Sequence, residues 1–153
     1  MTEHLIAHTT KRGKVLNNVL EIGSGCGYQS AVLSNFANEV FAVERIKPLV
    51  TKSRENLREL KIRNVTVKHA NGFDGWEEDS KFDGIICAAA PRQYPEELVE
   101  LLEVGGKLVI PAGNEGQQKL FVITKKSETE NEETIHEEVA FVPMLPGISN
   151  GEI

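Results

Sequence analysis

Apolar residues fall in short, nearly continuous runs separated by stretches of helical spacing, the pattern of strands buried on both faces by covering helices. The first clear run, VLEI at residues 19–22, enters a glycine-rich turn and then a helical stretch expected over residues 29–37, with Ala31, Val32 and Leu33 facing inward. EVFAVE (residues 39–44) predicts a second strand. Residues 48–60 predict a helix that starts with Pro48 in its first turn and puts Leu49, Ser53, Leu57 and Leu60 on one face. NVTVKHA (64–70) predicts a third strand, ended by Asn71-Gly72, a pair suited to turns. FDGIICAAA (82–90) reads as a central strand. PEELVELLEVGGKLVIP (95–111) reads as a short helix, a stop at Gly105-Gly106 and a fifth strand reaching Pro111. This alternation predicts an α/β fold with a doubly wound, mostly parallel sheet.

The final forty residues change character. KLFVIT (119–124) and EVAFVP (138–143) predict a C-terminal antiparallel hairpin, with KKSETENEET (125–134) as a solvated loop between them. At the other end, residues 1–10 have room for a turn or two of helix carrying Leu5 and Ile6. His4 and His8 stand four apart on such a helix, but no third ligand lies near them in sequence, so no metal site is expected.

Length and charge narrow the function. A chain of 153 residues fits a single domain spanning 1–153, and one of that size buries ~68–70% of its unfolded surface. A net charge of -6, from 23 acidic against 17 basic residues, argues against a phosphate-binding surface and so against nucleic acid. No apolar run approaches the ~20 residues of a membrane span, and the N-terminus has no signal-peptide layout, so no membrane partner and a cytoplasmic location are expected. Two cysteines, Cys26 and Cys87, fit reduced thiols. They fall near the ends of strands expected to be neighbours, beside one pocket, where buried inert thiols are the expectation. A monomer is expected.

The chemistry concentrates in GSGCG at residues 23–27. Gly23, Gly25 and Gly27 let backbone amides approach a ligand, while Tyr28 occupies the place where a dinucleotide fingerprint carries its last glycine, which disfavours a nicotinamide oxidoreductase. An acidic residue, Glu21, lies inside the preceding strand, an arrangement typical of S-adenosylmethionine-dependent methyltransferases; the alternative is an ordinary tight turn. In an open parallel sheet the ligand crevice lies beyond the carboxyl ends of the strands, where this turn, Glu44 and Asn71-Gly72 all fall. Glu44 is positioned to accept both ribose hydroxyls of a cofactor, or is simply an exposed strand-end carboxylate. Asn71 offers its side-chain carbonyl to an adenine amine, or forms a plain Asn-Gly turn.

Taken together, VLEIGSGCGYQSAVLS (19–34), AVERI (42–46), HANGFDGW (69–76), FDGIICAAAP (82–91), LLEVGGKLVIP (101–111) and FVPM (141–144) resemble the protein-L-isoaspartate O-methyltransferase family. The resemblance covers residues 19–144 and implies a class I methyltransferase-like sheet, S-adenosyl-L-methionine as cofactor, and methylation of the free carboxyl of L-isoaspartyl residues in damaged proteins or peptides, a protein-repair reaction. It carries the cofactor contacts onto Glu21, Gly23, Ser24, Gly25 and Gly27 around the methionine and ribose, Glu44 at the ribose hydroxyls, and Asn71 and Gly72 at the adenine. Residues 88–91 are expected to line the methyl-transfer side. No catalytic acid or base is implied, because the accepting carboxylate is already deprotonated and the sulfonium methyl already activated.

Two departures stand out. The family usually has Gly-Asp-Gly where this chain has Ala70-Asn71-Gly72, exchanging an anionic acceptor for a neutral one. The family also usually carries a preceding substrate segment with a Gln-Thr-Ile-Ser-x-Pro-like stretch, which nothing in residues 1–18 resembles. The expectation is an N-terminally short form with one crevice wall uncovered and weak or no transfer. The alternative is a non-catalytic cofactor-binding or interaction module derived from the family.

Overall fold

The computed structural model describes residues 1–6, 14–74, 76 and 81–151. A short helix, α1 (Thr2–Ile6), precedes β1 (Leu16–Ile22), α2 (Tyr28–Leu33), β2 (Ala37–Glu44), α3 (Lys47–Glu59) and β3 (Val65–His69). A 3-10 turn (Gly72–Asp74), β4 (Phe82–Cys87), α4 (Glu96–Glu100), β5 (Leu102–Ala112), β6 (Gln118–Lys125) and β7 (Asn131–Val139) complete the order. His8 lies outside the described residues.

The strands form one seven-stranded sheet in the order β3-β2-β1-β4-β5-β6-β7. The first five are parallel, and β6 and β7 run antiparallel to their neighbours. The chain reverses direction of winding between β1 and β4, so the crevice of a doubly wound sheet falls beyond those two strand ends. This is the expected α/β architecture with its C-terminal hairpin.

Period-two alternation explains how both faces are buried. Leu20 and Ile22 pack into one cluster with Phe82, Leu98, Leu108 and Ile110, whereas Val19, Ile86 and Val109 join Leu5 and Leu33 in another. A third cluster joins α3 to β2 and β3 through Val50, Leu57, Ala42 and Val67. At β4, a Cβ on Gly84 would lie 3.0 Å from the Leu5 side chain, so the absence of one lets α1 seat against the strand. Next to Gly84, near the start of both strands, the Asp83 carboxylate accepts the Asn17 and Asn18 amides at 2.6 and 2.8 Å and ties β1 to β4.

Four elements differ from the sequence expectation. α2 ends at Leu33 rather than continuing to residue 37, because Phe36 and Ala37 turn into β2. In α3 the buried face is Val50, Ser53 and Leu57, and Leu60 beyond its end is exposed. Gly105-Gly106 does not stop a helix; it sits inside β5, where the pairing with β4 shifts register between Phe82 and Gly84. The acidic stretch at residues 131–134 is paired strand, not loop, and 141–143 leave the sheet. An edge strand needs backbone pairing on one side only, so its side chains can be almost wholly charged, a composition that also discourages pairing with other chains.

Candidate cofactor-binding site

Beyond the carboxyl ends of β1, β2 and β4 lies a cavity of about 410 Å³, within the usual range for small-molecule sites. Its floor is Ile22, Gly23 and Gly25, with Glu44 and Gly72 at the sides and Ala88 and Ala89 opposite. A second hollow of about 540 Å³, lined by Arg54, Arg58, Lys61 and Arg63, lies between α3 and β3, away from the strand ends that converge on the glycine turn.

The turn is built on three glycines at left-handed φ, +84° at Gly23, +52° at Gly25 and +92° at Gly27, a conformation that side-chain-bearing residues rarely adopt. Gly23 donates its amide to the Val43 carbonyl at 2.9 Å, which anchors the turn to β2. Gly27 then starts α2 in close contact with α3: a Cβ there would stand 3.1 Å from that of Ser53.

Glu44, 6% exposed, reaches back over this turn. One carboxylate oxygen accepts the Gly25 amide at 2.9 Å and the other accepts the Ile46 amide at 3.1 Å. A carboxylate offers about four acceptor positions, so two remain for a ligand diol. Glu21 lies below the turn, fully buried, and accepts the Ser30 hydroxyl at 2.8 Å. Burial pushes its carboxyl up to about 7, against the Ser30 hydrogen bond, with a smaller upward push from the Glu44 charge. The other Glu21 oxygen and the Ser24 hydroxyl are buried with no partner among the described residues.

Gly23, Gly25, Glu44 and Gly72 therefore line the cavity, while Glu21, Ser24, Gly27 and Asn71 do not. Asn71 forms a local turn: its side-chain oxygen accepts the Phe73 amide at 3.1 Å and its side-chain NH2 donates to Asp74 at 3.2 Å. The thiols separate. Cys26 is exposed on the turn, whereas Cys87 is buried, donates to the Ala89 carbonyl at 3.2 Å and is pushed by burial up to about 12.

The roof comes from a segment that sequence reasoning read as strand. Val142 and Met144 clasp Ala90 through backbone bonds of 2.8 and 3.0 Å, and Val142, Pro143, Met144 and Leu145 cover the cavity. Farther on, Ser149 bonds Lys47 and Arg45, and its carbonyl lies 3.1 Å from the His69 ring, so the tail crosses from β4 to β2. The only sequence signal for this roof is FVPM, whose proline and apolar residues follow the last paired strand position.

The profile of the protein-L-isoaspartate(D-aspartate) O-methyltransferase family matches residues 4–148. The chain belongs to that family. A protein-L-isoaspartate O-methyltransferase of Nitrosomonas eutropha is 53% identical over 135 residues, 88% of this chain and 60% of the relative. One from Marinobacter nauticus is 47% identical over 97% of this chain and 64% of its own length. The chain thus spans about three-fifths of the length of these family members.

Solved structures agree. A Plasmodium falciparum protein-L-isoaspartate O-methyltransferase, in complex with S-adenosyl-L-homocysteine, superposes with a TM-score of 0.69 at 34% identity, covering 84% of this chain and 65% of that one. Another structure of that name gives a TM-score of 0.79 at 27% identity, covering 89% of this chain and 44% of the other.

Proposed function

We propose that this chain binds S-adenosyl-L-methionine in the 410 Å³ cavity and directs methyl transfer to the free carboxyl of L-isoaspartyl residues in damaged proteins or peptides. The observation that carries this reading is the Glu44 carboxylate fixed against the Gly25 amide at the meeting point of three strand ends. Membership of the family supplies the substrate class. When bound, the cofactor supplies a methyl group activated by a sulfonium, which a carboxylate accepts without acid-base assistance.

The chain's own residues bind and align. Gly23 and Gly25 bring backbone against the ligand, and Glu44, held by two amides, presents its remaining lone pairs to the ribose hydroxyls without having to reorganise. Gly72 lets the backbone of the adenine-side turn pack directly on Ile22, since a Cβ there would stand 2.6 Å from Ile22 Cγ2. Glu21 holds Ser30 of α2, the Ser24 backbone bonds Val43 and Gly27 to fix the turn, and Asn71 shapes the bend that carries Gly72. Ala88 and Ala89 face the methyl-transfer side, and the apolar roof from Val142 to Leu145 excludes water, which strengthens every electrostatic contact beneath it.

Residues 1–153 act as one domain in this reading, as a monomer in the cytoplasm, with neither nucleic acid nor membrane as partner. The net charge of -6 and two free thiols support this, and among the described residues no helix is long and apolar enough to cross a membrane. Transfer of labelled methyl to an isoaspartyl peptide, compared with its normal aspartyl twin, tests the activity. Selective labelling of the isoaspartyl form is expected; equal or absent labelling of both would overturn the catalytic reading, and cofactor binding without turnover would point to a binding module.

A further inference from the structure

A separate cluster forms on the far side of the sheet's antiparallel end. Along β6, the two steps from Lys119 to Phe121 are matched by three along β7, from Glu138 to Ile135. His136 and Glu137 therefore share one position opposite Leu120, a bulge. In a regular strand consecutive side chains leave opposite faces, whereas a bulge re-aims one of them. The bulge turns both toward α1. There the His4 ring meets the His136 ring with centroids 4.4 Å apart and a 44° tilt, and His4 Nε2 lies 3.5 Å from Glu137 Oε1. One ligand atom from each of the three residues falls within 4.8 Å of the others.

We propose that His4, His136 and Glu137 form a binding site for one divalent transition-metal ion of the zinc type, clipping α1 to β7. Four ligands of a tetrahedral zinc ion at ~2.0–2.1 Å stand ~3.4 Å from one another, and the His4–Glu137 pair already has that spacing. Drawing in the His136 nitrogen requires only side-chain rotation, because the groups are partly or fully exposed. Two imidazoles and a carboxylate are the donor set of zinc and its neighbours, and the solvent-facing side leaves a fourth position for water. Magnesium and calcium, which take oxygen ligands, are poorly matched.

Placement and charge favour the site as well. Leu5, beside His4, is buried against Gly84, so α1 is seated by packing and not by the histidine contact alone. The excess of acidic residues raises the local concentration of cations. His4 and His8 share a sequence spacing, but it is the fold that brings the missing ligands to His4.

The test uses the untagged chain of residues 1–153 carrying Cys26→Ser, which removes the exposed thiol as a competing ligand. Zinc is titrated in competition with a chromophoric chelator, and cobalt is substituted to read its visible spectrum. Saturation at one ion per chain is expected, with the intense cobalt bands of a four-coordinate site and no competition from millimolar magnesium. His4→Ala and His136→Ala should each weaken zinc by more than the roughly 10–100-fold typical of losing an outer-shell partner, with Glu137→Gln intermediate. The melting temperature should rise with zinc in the parent and not in His136→Ala, and circular dichroism of the metal-free variants separates lost ligation from lost folding. Absence of saturable binding, or unchanged affinity in folded His136→Ala, would overturn the proposal.

Discussion

The Glu44 carboxylate closes the glycine turn by accepting the Gly25 amide at 2.9 Å. Its second oxygen holds the Ile46 amide, so one side chain joins the end of β2 to both the turn and the start of α3. Hydrogen bonds to charged groups contribute about 1.5–3 kcal/mol, and Glu44→Ala leaves both amides without this acceptor. Urea unfolding should show a loss of that size. Calorimetry should show S-adenosylmethionine affinity reduced at least about tenfold, the equivalent of ~1.4 kcal/mol.

Gly25→Ala and Gly105→Ala separate strain from site. Both glycines have positive φ, +52° and +89°, and an added Cβ meets no protein atom within 4 Å at either position. Each substitution should therefore cost about 1–2 kcal/mol of stability from the left-handed backbone alone. Gly25 lines the cavity and Gly105 does not. Calorimetric titration should find adenosyl-ligand binding weakened more than tenfold in Gly25→Ala and unaltered in Gly105→Ala; equal binding in the two variants would show that the turn does not face the ligand.

Glu21 makes stability depend on pH in a defined direction. Its carboxyl is raised to about 7 in the folded chain from an ordinary value of 4.5, so between those values the native state holds a proton that the unfolded chain has released. Stability therefore falls as pH rises from about 4.5 to about 7, and the full cost, on the order of 3 kcal/mol, is present above that window. Glu21→Gln cannot ionise. Denaturant melts at pH 5 and pH 8 should show the variant gaining on the parent by roughly that amount, whereas parallel pH profiles would place the titrating group elsewhere.

Native thiol titration should count one cysteine. Cys26 is exposed and Cys87 is buried with its thiol pushed up to about 12, so a disulfide reagent meets one reactive thiol until the chain unfolds. Modification of Cys87 should follow the rate of opening of β4. Rapid reaction of both thiols in native buffer would contradict the packing around β4.

What the sequence revealed, and what it concealed, follows from the range of the interactions. Val19, Leu20 and Ile22 are buried by their own strand's position at the sheet centre, and the glycines of the turn are required by local backbone geometry, so both were legible. Glu44 could be placed at a strand end, but its bond to Gly25 depends on how β1 and β2 align. The hairpin was legible but the bounds of β7 were not, because an edge strand is specified by its partner's unpaired backbone and not by alternating apolar residues. The roof at Val142 and Met144 was hidden for a similar reason: it is fixed by two bonds to Ala90, distant in sequence. His136 and Glu137 became neighbours of His4 through a one-residue bulge that no composition signals.

Isothermal calorimetry of the chain and its Glu44→Ala variant, each with S-adenosylmethionine and with NAD, tests the central claim most directly. One site for S-adenosylmethionine, no heat from NAD, and affinity lost at least tenfold in the variant are the predicted results. Absence of S-adenosylmethionine binding, or undiminished affinity in a folded Glu44→Ala chain, would contradict the site.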